Sequence, residues 1–410
     1  MKAFRRLVVV LVAITAGIVP TAQAGAAPGA PRLTRVDTDA AGQPDPEGTA
    51  QMVGLSGDGR YALLSVRSNS TLVPQPHRTP TDEWTYMVRK DVRSGEIILA
   101  SVQENGSPLG VSWSAGALGR DGTTFAYAGR YGEGPIVLYH RDLTSGVRPI
   151  VTMPEGWTPT NVALSTEGRW LSWVTANTQV AGDILIRHDL HTGQTTTLLD
   201  CGDPRNGCYI YTGPYVSDDG NTIALQYRQT PADPIRLSVL DAASGELRTL
   251  PEGEQGEGFM ISGNGEWIFY GRGFGCPSCG GGRFELKRIA TKPGASPELL
   301  RAWEDSVTWG VYPTSTNYTG NLVGYFRQTG VSGKYFAAAR GYVHDLVTGI
   351  ETLIPEPRTD VAYARSPSIS SNSRVAVFGE SCLWATSCTP TGLYAVALPE
   401  LLPERMWSWR

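Results

Sequence analysis

The chain has 410 residues, a hydrophobic content of 41% and a formal net charge of −4 at pH 7. This length is well above that of an ordinary single domain, so it predicts either several domains or one ring of repeats. The acidic balance argues against nucleic acid as a partner, because proteins that bind nucleic acid present a positive surface.

Residues 1–24 have the pattern of a secretory signal peptide. A basic start is followed by an apolar run from Leu7 to Val19 and by an A-x-A cleavage site that ends at Ala24. The run is too short for a membrane span and no cysteine follows the cleavage site, so we expect neither a membrane anchor nor a lipid anchor. Removing three basic residues takes the formal charge from −4 to −7. We predict an exported protein, extracellular or periplasmic according to the host.

A repeating pattern follows a small-residue lead-in at 25–31. Its clearest copy is the stretch from Val216 to Leu250. Asp219-Gly220 has the composition of a tight hairpin turn, two runs of β-branched and aliphatic residues read as strands, and 241–245 reads as a second turn. With a short strand before Ser217, one copy contains four strands joined by hairpins. Such a unit cannot bury its own hydrophobic faces, so copies must pack on one another.

Seven copies of the first turn can be counted. They are Asp58-Gly59, Asp121-Gly122, Glu167-Gly168, Asp219-Gly220, Asn264-Gly265, Thr319-Gly320 and Asn372-Ser373. Seven four-stranded units predict an all-β fold, a seven-bladed β-propeller of antiparallel blades that spans 32–399 as one monomeric domain. The seventh unit lacks an outgoing strand, so we predict that the strand at 32–37 completes the last blade. The tail at 400–410 either packs against the ring or serves as a docking peptide.

The two turn motifs resemble a known family. The pattern S-x-D-G followed by a hydrophobic run and then D-x-x-(S/T)-G is similar to the repeats of TolB-type, WD-like propellers, and the stretch 69–96 is especially similar. The resemblance covers roughly 32–398 and implies the fold. It does not identify an activity, because these motifs are turn chemistry that binding proteins, lyases and peptidases share.

Six cysteines form three close pairs in sequence. The pairs are Cys201 with Cys208, Cys276 with Cys279, and Cys382 with Cys388. In an exported protein such pairs predict three local disulfides. A redox-active C-x-x-C or a metal site at Cys276 and Cys279 is the alternative, and we predict no metal and no cofactor because a zinc site needs four ligands.

Long, varied connections are expected on one face of the ring, and the short turns on the other. The long segments are 67–83, 200–214, 271–283, 327–341 and 379–391. Variable loops on a rigid scaffold are where binding residues concentrate. Seven large aromatic residues that we assign to this face are candidate ligand contacts: Trp113, Trp157, Tyr211, Trp309, Tyr312, Tyr335 and Trp384. Their alternative role is to cap the blade cores, which is the role predicted for Trp170, Trp173 and Trp267 inside strands.

Catalytic motifs are weak. The chain has no G-x-S-x-G and no H-E-x-x-H, so catalytic residues are left unassigned. His140, His188 and His344 recur near the ends of third strands and are predicted to be structural, which leaves His77 as the one histidine worth testing as a base. Acidic residues expected on the long-loop face form a solvated rim or a calcium site: Asp183, Asp200, Asp203, Asp233 and Asp305.

These observations favour a non-enzymatic exported propeller that binds a protein or a glycan through its aromatic, disulfide-stiffened face. The alternative is a polysaccharide lyase or glycan hydrolase, because some TolB-like propellers are oligosaccharide lyases. The resemblance implies clustered histidines and a metal for such a lyase, and the histidines here are scattered. A peptidase-type propeller would need a hydrolase domain, for which we expect no room.

Overall fold

Seven four-stranded antiparallel sheets make up the protein, and it has almost no helix. The computed structural model describes residues 31–46, 48, 50–81, 84–177, 182–202, 208–230, 232–251, 258–276, 281–304, 308–331, 334–355, 364–380 and 392–402. The predicted all-β, seven-bladed propeller is confirmed. Each sheet is one blade, and its strands follow one another in sequence order except in the blade that closes the ring.

The strand bounds follow the repeat along the chain. The N-terminal strand is β1 (Leu33–Arg35), and blades 1 to 3 contain β2 (Gln51–Leu55), β3 (Tyr61–Arg67), β4 (Thr85–Asp91), β5 (Ile97–Leu99), β6 (Gly110–Leu118), β7 (Thr124–Arg130), β8 (Val137–Asp142), β9 (Gly146–Thr152), β10 (Trp157–Leu164), β11 (Trp170–Asn177), β12 (Asp183–Asp189) and β13 (Thr195–Asp200). Blades 4 and 5 contain β14 (Tyr209–Val216), β15 (Thr222–Arg228), β16 (Arg236–Asp241), β17 (Leu247–Thr249), β18 (Phe259–Ile261), β19 (Trp267–Cys276), β20 (Gly281–Ala290) and β21 (Glu298–Trp303). Blades 6 and 7 contain β22 (Thr308–Thr316), β23 (Leu322–Val331), β24 (Lys334–Asp345), β25 (Ile350–Leu353), β26 (Ala364–Ile369), β27 (Val375–Glu380) and β28 (Leu393–Ala397), and a short helix α1 (Leu398–Leu401) follows.

The ring closes through the N-terminal strand, as predicted. β1 pairs antiparallel with β28, with Leu33 opposite Val396, so the seventh sheet has the order β1-β28-β27-β26. Asp37, which is buried just after β1, accepts the backbone N–H of Leu393 at 3.0 Å and pairs with Arg35 at 2.9 Å. The first and last parts of the described chain are therefore joined in one sheet.

The first turns of blades 1, 4, 5 and 7 share one hydrogen-bond arrangement. In blade 4 the Ser217 hydroxyl donates to the Asp219 carboxylate at 2.6 Å and accepts the backbone N–H of Thr222 at 2.9 Å. Gly220 has a φ of +73°, and a Cβ there would lie 2.6 Å from Cδ1 of Trp170 in the preceding blade. The glycine therefore supplies both the left-handed backbone and the close approach of neighbouring blades.

The second turns of blades 1, 2, 3, 4 and 6 are each built around one aspartate. Asp91, at the end of β4, accepts the backbone N–H groups of Arg93 and Ser94 at 2.8 and 3.1 Å, and its other oxygen pairs with Arg60 at 2.8 Å. Arg60 belongs to the first turn of the same blade, so the carboxylate ties the two turns together. Burial alone would raise the pKa of Asp91. The hydrogen bonds from Ser94, Arg93 and Arg60 together outweigh this effect, so the pKa lies below its usual value.

The first turns are also joined to one another around the ring. Backbone N–H groups donate to carbonyl oxygens of the neighbouring turn at six joints: Gly57 to Arg120, Thr166 to Asp218, Asp218 to Gly263, Asn264 to Tyr318, Tyr318 to Ser371, and Asn372 to Gly57. We call the side of the ring that carries these turns the turn face, and the opposite side the loop face.

Side chains of three turns meet in the middle of the turn face. Arg120 of blade 2 lies 3.6 Å from the Asp218 carboxylate of blade 4, and its guanidinium carbon is 5.5 Å from the ring centroid of Tyr318 in blade 6. Blades 2, 4 and 6 are not neighbours in the ring. The three side chains can therefore meet only across the central axis.

The blade cores are aliphatic and aromatic, with one difference from the prediction. Trp173 is 1% exposed and lies in the core, as predicted. Trp170 and Trp267 are only half-buried. The Arg187 guanidinium lies 3.4 Å from the Trp170 ring centroid and that of Arg288 lies 4.1 Å from the Trp267 ring centroid, so each indole stacks on an arginine, and Trp267 also packs against the core between blades 5 and 6.

Two segments predicted as long loops are mostly strand. β19 and β20 pair from Trp267 opposite Ala290 to Cys276 opposite Gly281, and β23 and β24 pair as far as Val331 opposite Lys334. The segments 271–283 and 327–341 are therefore the ends of extended hairpins, and their prediction as loops was wrong. Cross-strand pairing has outweighed the low strand preference of their glycines.

The chain continues past the ring at α1. Leu401 and Leu402 are buried with residues of blades 6 and 7, and Glu400 accepts the backbone N–H of Arg32 at 2.9 Å. The start of the predicted tail thus packs against the ring, whereas Trp407 and Trp409 lie outside the described residues. No helix in the described ranges combines the length and apolar character needed to cross a membrane.

Candidate functional site

Two adjoining cavities lie on the loop face where blades 1, 2 and 3 meet. We call the cavity of about 320 Å³ beside Trp84 the Trp84 cavity, and the cavity of about 450 Å³ beside Trp157 the Trp157 cavity. They share Arg130, Ile136 and Thr158 as a common wall, and together they form what we call the blade 2 cleft. Both volumes are in the range of small-ligand sites.

The Trp84 cavity is made by strand ends from three blades. Trp84 precedes β4 of blade 1, the start of β6 and the end of β7 come from blade 2, and Thr158 and Pro159 come from β10 of blade 3. Trp84 is half-buried, and a Cβ on Gly110 would lie 2.5 Å from its Cε3 atom. The absence of a side chain at Gly110 therefore lets the indole lie against β6.

The Trp157 cavity is made by two short connections of the loop face. One is the glycine-containing hairpin at 131–135 between β7 and β8, and the other is 153–156, which leads from blade 2 into β10. Trp157 is the first residue of β10, and its backbone N–H donates to the carbonyl of Pro154 at 3.1 Å. This short turn places a half-buried indole at the edge of the cavity.

Three charged residues line the cleft, and all three are exposed. Arg130 ends β7, Glu133 lies in the hairpin, and Glu155 lies in the connection to blade 3. No side-chain hydrogen bond or ion pair joins any of the three to another described residue. The cleft therefore offers one cationic donor in the wall that both cavities share and two carboxylate acceptors in the Trp157 cavity.

The structure places the predicted aromatic contacts at different points of the ring. Trp157 lines the blade 2 cleft, Tyr211 is 60% exposed in β14 of blade 4, and Tyr312 in β22 is half-buried and stacks on Phe326 with ring centroids 4.7 Å apart. Trp113, Trp309 and Tyr335 have their backbones in β6, β22 and β24, but their side chains lie outside the described part. Trp384 lies outside the described residues altogether.

A second aromatic patch lies beside the disulfide of blade 4. Cys201 and Cys208 are bonded, as predicted, with an S–S distance of 2.07 Å, and β14 begins at the next residue. Tyr209 and Tyr211 have ring centroids 6.3 Å apart, and the Arg228 guanidinium lies 5.2 Å from the Tyr209 centroid. Cys279, Cys382, Cys388 and the side chain of Cys276 lie outside the described residues, so their pairing stays a prediction.

The three buried histidines do not meet at one point, because His140 and His188 lie in neighbouring blades and His188 helps to lower the pKa of His140, whereas His344 lies in blade 6. His140, His188 and His344 are buried in β8, β12 and β24, and burial is the main cause that lowers the pKa of each, to about 4 for His140. His77 is half-buried in the loop after β3 and does not line the cleft. Within the described ranges, no three His, Cys, Asp or Glu side chains come together in a group that could hold a metal ion.

The predicted acidic rim is not one site. Asp183 is 4% exposed and accepts the backbone N–H of Ile210 at 3.0 Å, so its assignment to a solvated rim was wrong. Burial raises the pKa of Asp183. Asp233 caps its own loop by accepting the N–H and hydroxyl of Thr230, and Asp200 is exposed. Asp203 and Asp305 lie outside the described residues.

Sequence reasoning missed most of the cleft. Trp84, Arg130, Glu133 and Glu155 were not among the candidate residues. The available signals were the glycine-containing turns at 129–134 and 154–156, which flank strands of a single blade. Trp84 comes from a different blade, and only the packing of blade 1 on blade 2 brings it beside Gly110.

Comparison with known proteins gives structural neighbours alone. No protein-family model matches the chain, and no curated protein matches it. A solved oligogalacturonate lyase in complex with manganese is similar in structure, with a TM-score of 0.58 and 15% sequence identity, and the match covers 90% of this chain and 91% of that one.

Two further solved structures match this chain with lower TM-scores. A prolyl endopeptidase matches with a TM-score of 0.56 and 14% identity over 86% of this chain and 50% of that one. TolB from Acinetobacter baumannii matches with a TM-score of 0.42 and 14% identity over 83% of this chain and 80% of that one. At identities this low, the likeness to the lyase and the endopeptidase shows the fold alone. The chain is therefore a seven-bladed β-propeller whose structural neighbours include oligogalacturonate lyases.

Proposed function

We propose that this protein is an exported, non-enzymatic propeller that binds a protein or glycan ligand through its loop face, with the blade 2 cleft as the binding site. The observation that carries the proposal is the pair of adjoining cavities, each with one tryptophan at its edge. Partly exposed indoles in concave, partly apolar sites are typical anchors for ligands. Export is supported by the leader at 1–24 and by the Cys201–Cys208 disulfide, since such bonds persist in oxidising compartments.

Binding fits the cleft better than hydrolysis does. Glycoside hydrolysis needs two carboxyl groups in different environments, one of them desolvated so that it can serve as an acid. Glu133 and Glu155 line the same cavity, but both are exposed to solvent. Neither is placed to act as the desolvated acid, so we infer that they accept hydrogen bonds from a ligand.

Manganese chemistry of the kind that the lyase neighbour's title suggests has no support in the described residues. A manganese site would draw on carboxylate, carbonyl, water or imidazole ligands. The three buried histidines lie in different blades, and the described ranges contain no metal-binding group of His, Cys, Asp or Glu. We therefore propose no step that uses this metal.

The proposal is tested by comparing two exposed aromatic sites on one scaffold. The protein without residues 1–24 is produced under oxidising conditions and applied to a glycan array and to an immobilised fraction of secreted proteins. We expect Trp157→Ala to weaken ligand capture at least about tenfold, because truncating an aromatic anchor in a binding site typically costs more than 1 kcal/mol. Tyr211→Ala, in blade 4, is the matched control and should leave capture unchanged.

Two outcomes would contradict this location. Loss of capture in the Tyr211→Ala variant alone would move the site to the blade 4 patch. Capture that survives Trp84→Ala and Trp157→Ala together would remove the cleft from the function. Near-ultraviolet circular dichroism of each variant shows whether the fold is retained.

A further inference from the structure

We propose that the ligand of the blade 2 cleft is a neutral saccharide chain that places successive sugar units in the Trp84 cavity and the Trp157 cavity. This inference rests on the proposed function and adds the chemical class of the ligand.

The two cavities resemble each other in having an aromatic side chain. Each has one tryptophan, and each opens onto the shared wall formed by Arg130, Ile136 and Thr158. A sugar ring has an apolar face that packs on an indole and hydroxyl groups around its edge. A chain of such rings repeats this combination at each unit, so it matches a site whose aromatic element is repeated.

A peptide fits the cleft less well. Extended peptides commonly bind by adding a strand to a free sheet edge, where backbone groups remain unpaired. The cleft is bounded by the beginnings of β6 and β10 and the end of β7, and β7 is paired on both sides, with β6 and with β8. The strands therefore meet the cleft at their ends and offer no long edge to a peptide.

The charges in the cleft favour a neutral chain over an acidic one. Arg130 supplies one positive charge, and Glu133 and Glu155 supply two negative charges, so the lining has a net charge of −1. A carboxylated sugar at every unit would meet more repulsion than attraction. Hydroxyl groups both donate and accept, so they can serve the Arg130 guanidinium and the two carboxylates at the same time.

Isothermal titration with defined oligosaccharides tests the class of ligand. The probes are neutral gluco-, xylo- and manno-oligosaccharides of two to six units and uronate oligosaccharides of the same lengths. We expect at least one neutral series to bind, with a clear gain from one unit to two, and uronates to bind at least about tenfold more weakly. Trp84→Ala and Trp157→Ala should each weaken binding at least about tenfold, and Tyr211→Ala should not.

A charge variant tests the selectivity. Glu133→Gln with Glu155→Gln changes the net charge of the lining from −1 to +1 while it keeps side chains of similar size. We expect uronate binding to improve about tenfold, and the gain to shrink at high salt, because the effect is electrostatic and solvent-exposed. Neutral chains should change by less than this.

The possible results separate this inference from the proposed function. A wild-type preference for uronates would overturn the charge argument and leave the function standing. If no saccharide bound but a secreted protein did so in a Trp157-dependent way, the saccharide class would be wrong and the binding function would stand. Binding that no cleft variant affects would overturn both.

Discussion

The turn face and the loop face of the ring differ in how regular their connections are. On the turn face, one arrangement of a serine with an aspartate or asparagine two residues later recurs in blades 1, 4, 5 and 7, and backbone hydrogen bonds join the turns at six joints. On the loop face, connections differ in length and composition, and only a few blades combine to form the cleft. The repeats thus specify the fold, and the differences between repeats create the binding surface.

The comparison predicts that the same substitution has different costs on the two faces. Gly220→Ala on the turn face meets both a positive φ and Trp170 of the preceding blade, so we expect it to lower the free energy of unfolding by about 2–4 kcal/mol. Gly132→Ala on the loop face also has a positive φ but open space around it, and should cost about 1 kcal/mol. Urea-unfolding midpoints of both variants provide the measurement, and equal losses would refute the distinction.

Substituting aspartates on the two faces tests the same difference, with a smaller expected loss of stability. Asp91→Ala removes the acceptor of two turn N–H groups and the partner of Arg60 at a buried position, and we expect a loss of about 2 kcal/mol. Asp233→Ala on the loop face removes bonds within one exposed loop, and its cost should stay within about 0.5 kcal/mol. Thermal unfolding followed by circular dichroism would distinguish the two, and a larger loss for Asp233 would contradict the comparison.

Buried titratable groups near the two faces predict opposite pH dependences. Burial lowers the pKa of His140, near a second turn, from 6.5 to about 4. The unfolded chain binds this proton more readily, so the free energy of unfolding falls by about 1–2 kcal/mol as pH falls from 6.5 to 4. His140→Gln should flatten that slope in urea titrations.

Asp183, at the loop-face start of β12, has the opposite sign. Burial raises its pKa above 3.8, so the folded state holds this proton longer and the associated stability is lost as pH rises through the raised value. Asp183→Asn keeps an acceptor for the Ile210 N–H and should be more stable than the wild type at neutral pH. A variant that is less stable at every pH would show that the ionised carboxylate is needed.

The fold was predictable because its determinants are local and repeated. Asp219-Gly220 and its counterparts can be read from adjacent residues, and counting them gives the number of blades. The cleft was not predictable in the same way, because Trp84, Arg130 and Trp157 belong to three consecutive blades and become neighbours only when those blades pack on one another. The hairpins at 271–283 and 327–341 were misassigned because their glycines suggest loops, whereas pairing between long strands decides the structure.

One position inside the repeated turn also escaped sequence reasoning. The residue after the turn serine or its equivalent differs in most blades, and at Arg120, Asp218 and Tyr318 it is the position that reaches the axis. The motif S-x-D-G leaves this position unspecified, so it gave no sign that the residue reaches the axis.

The contact among Arg120, Asp218 and Tyr318 links three blades that share no sheet. A substitution at Arg120 therefore removes a contact of blades 4 and 6 as well as a side chain of blade 2, so its effect is not confined to the blade that carries it.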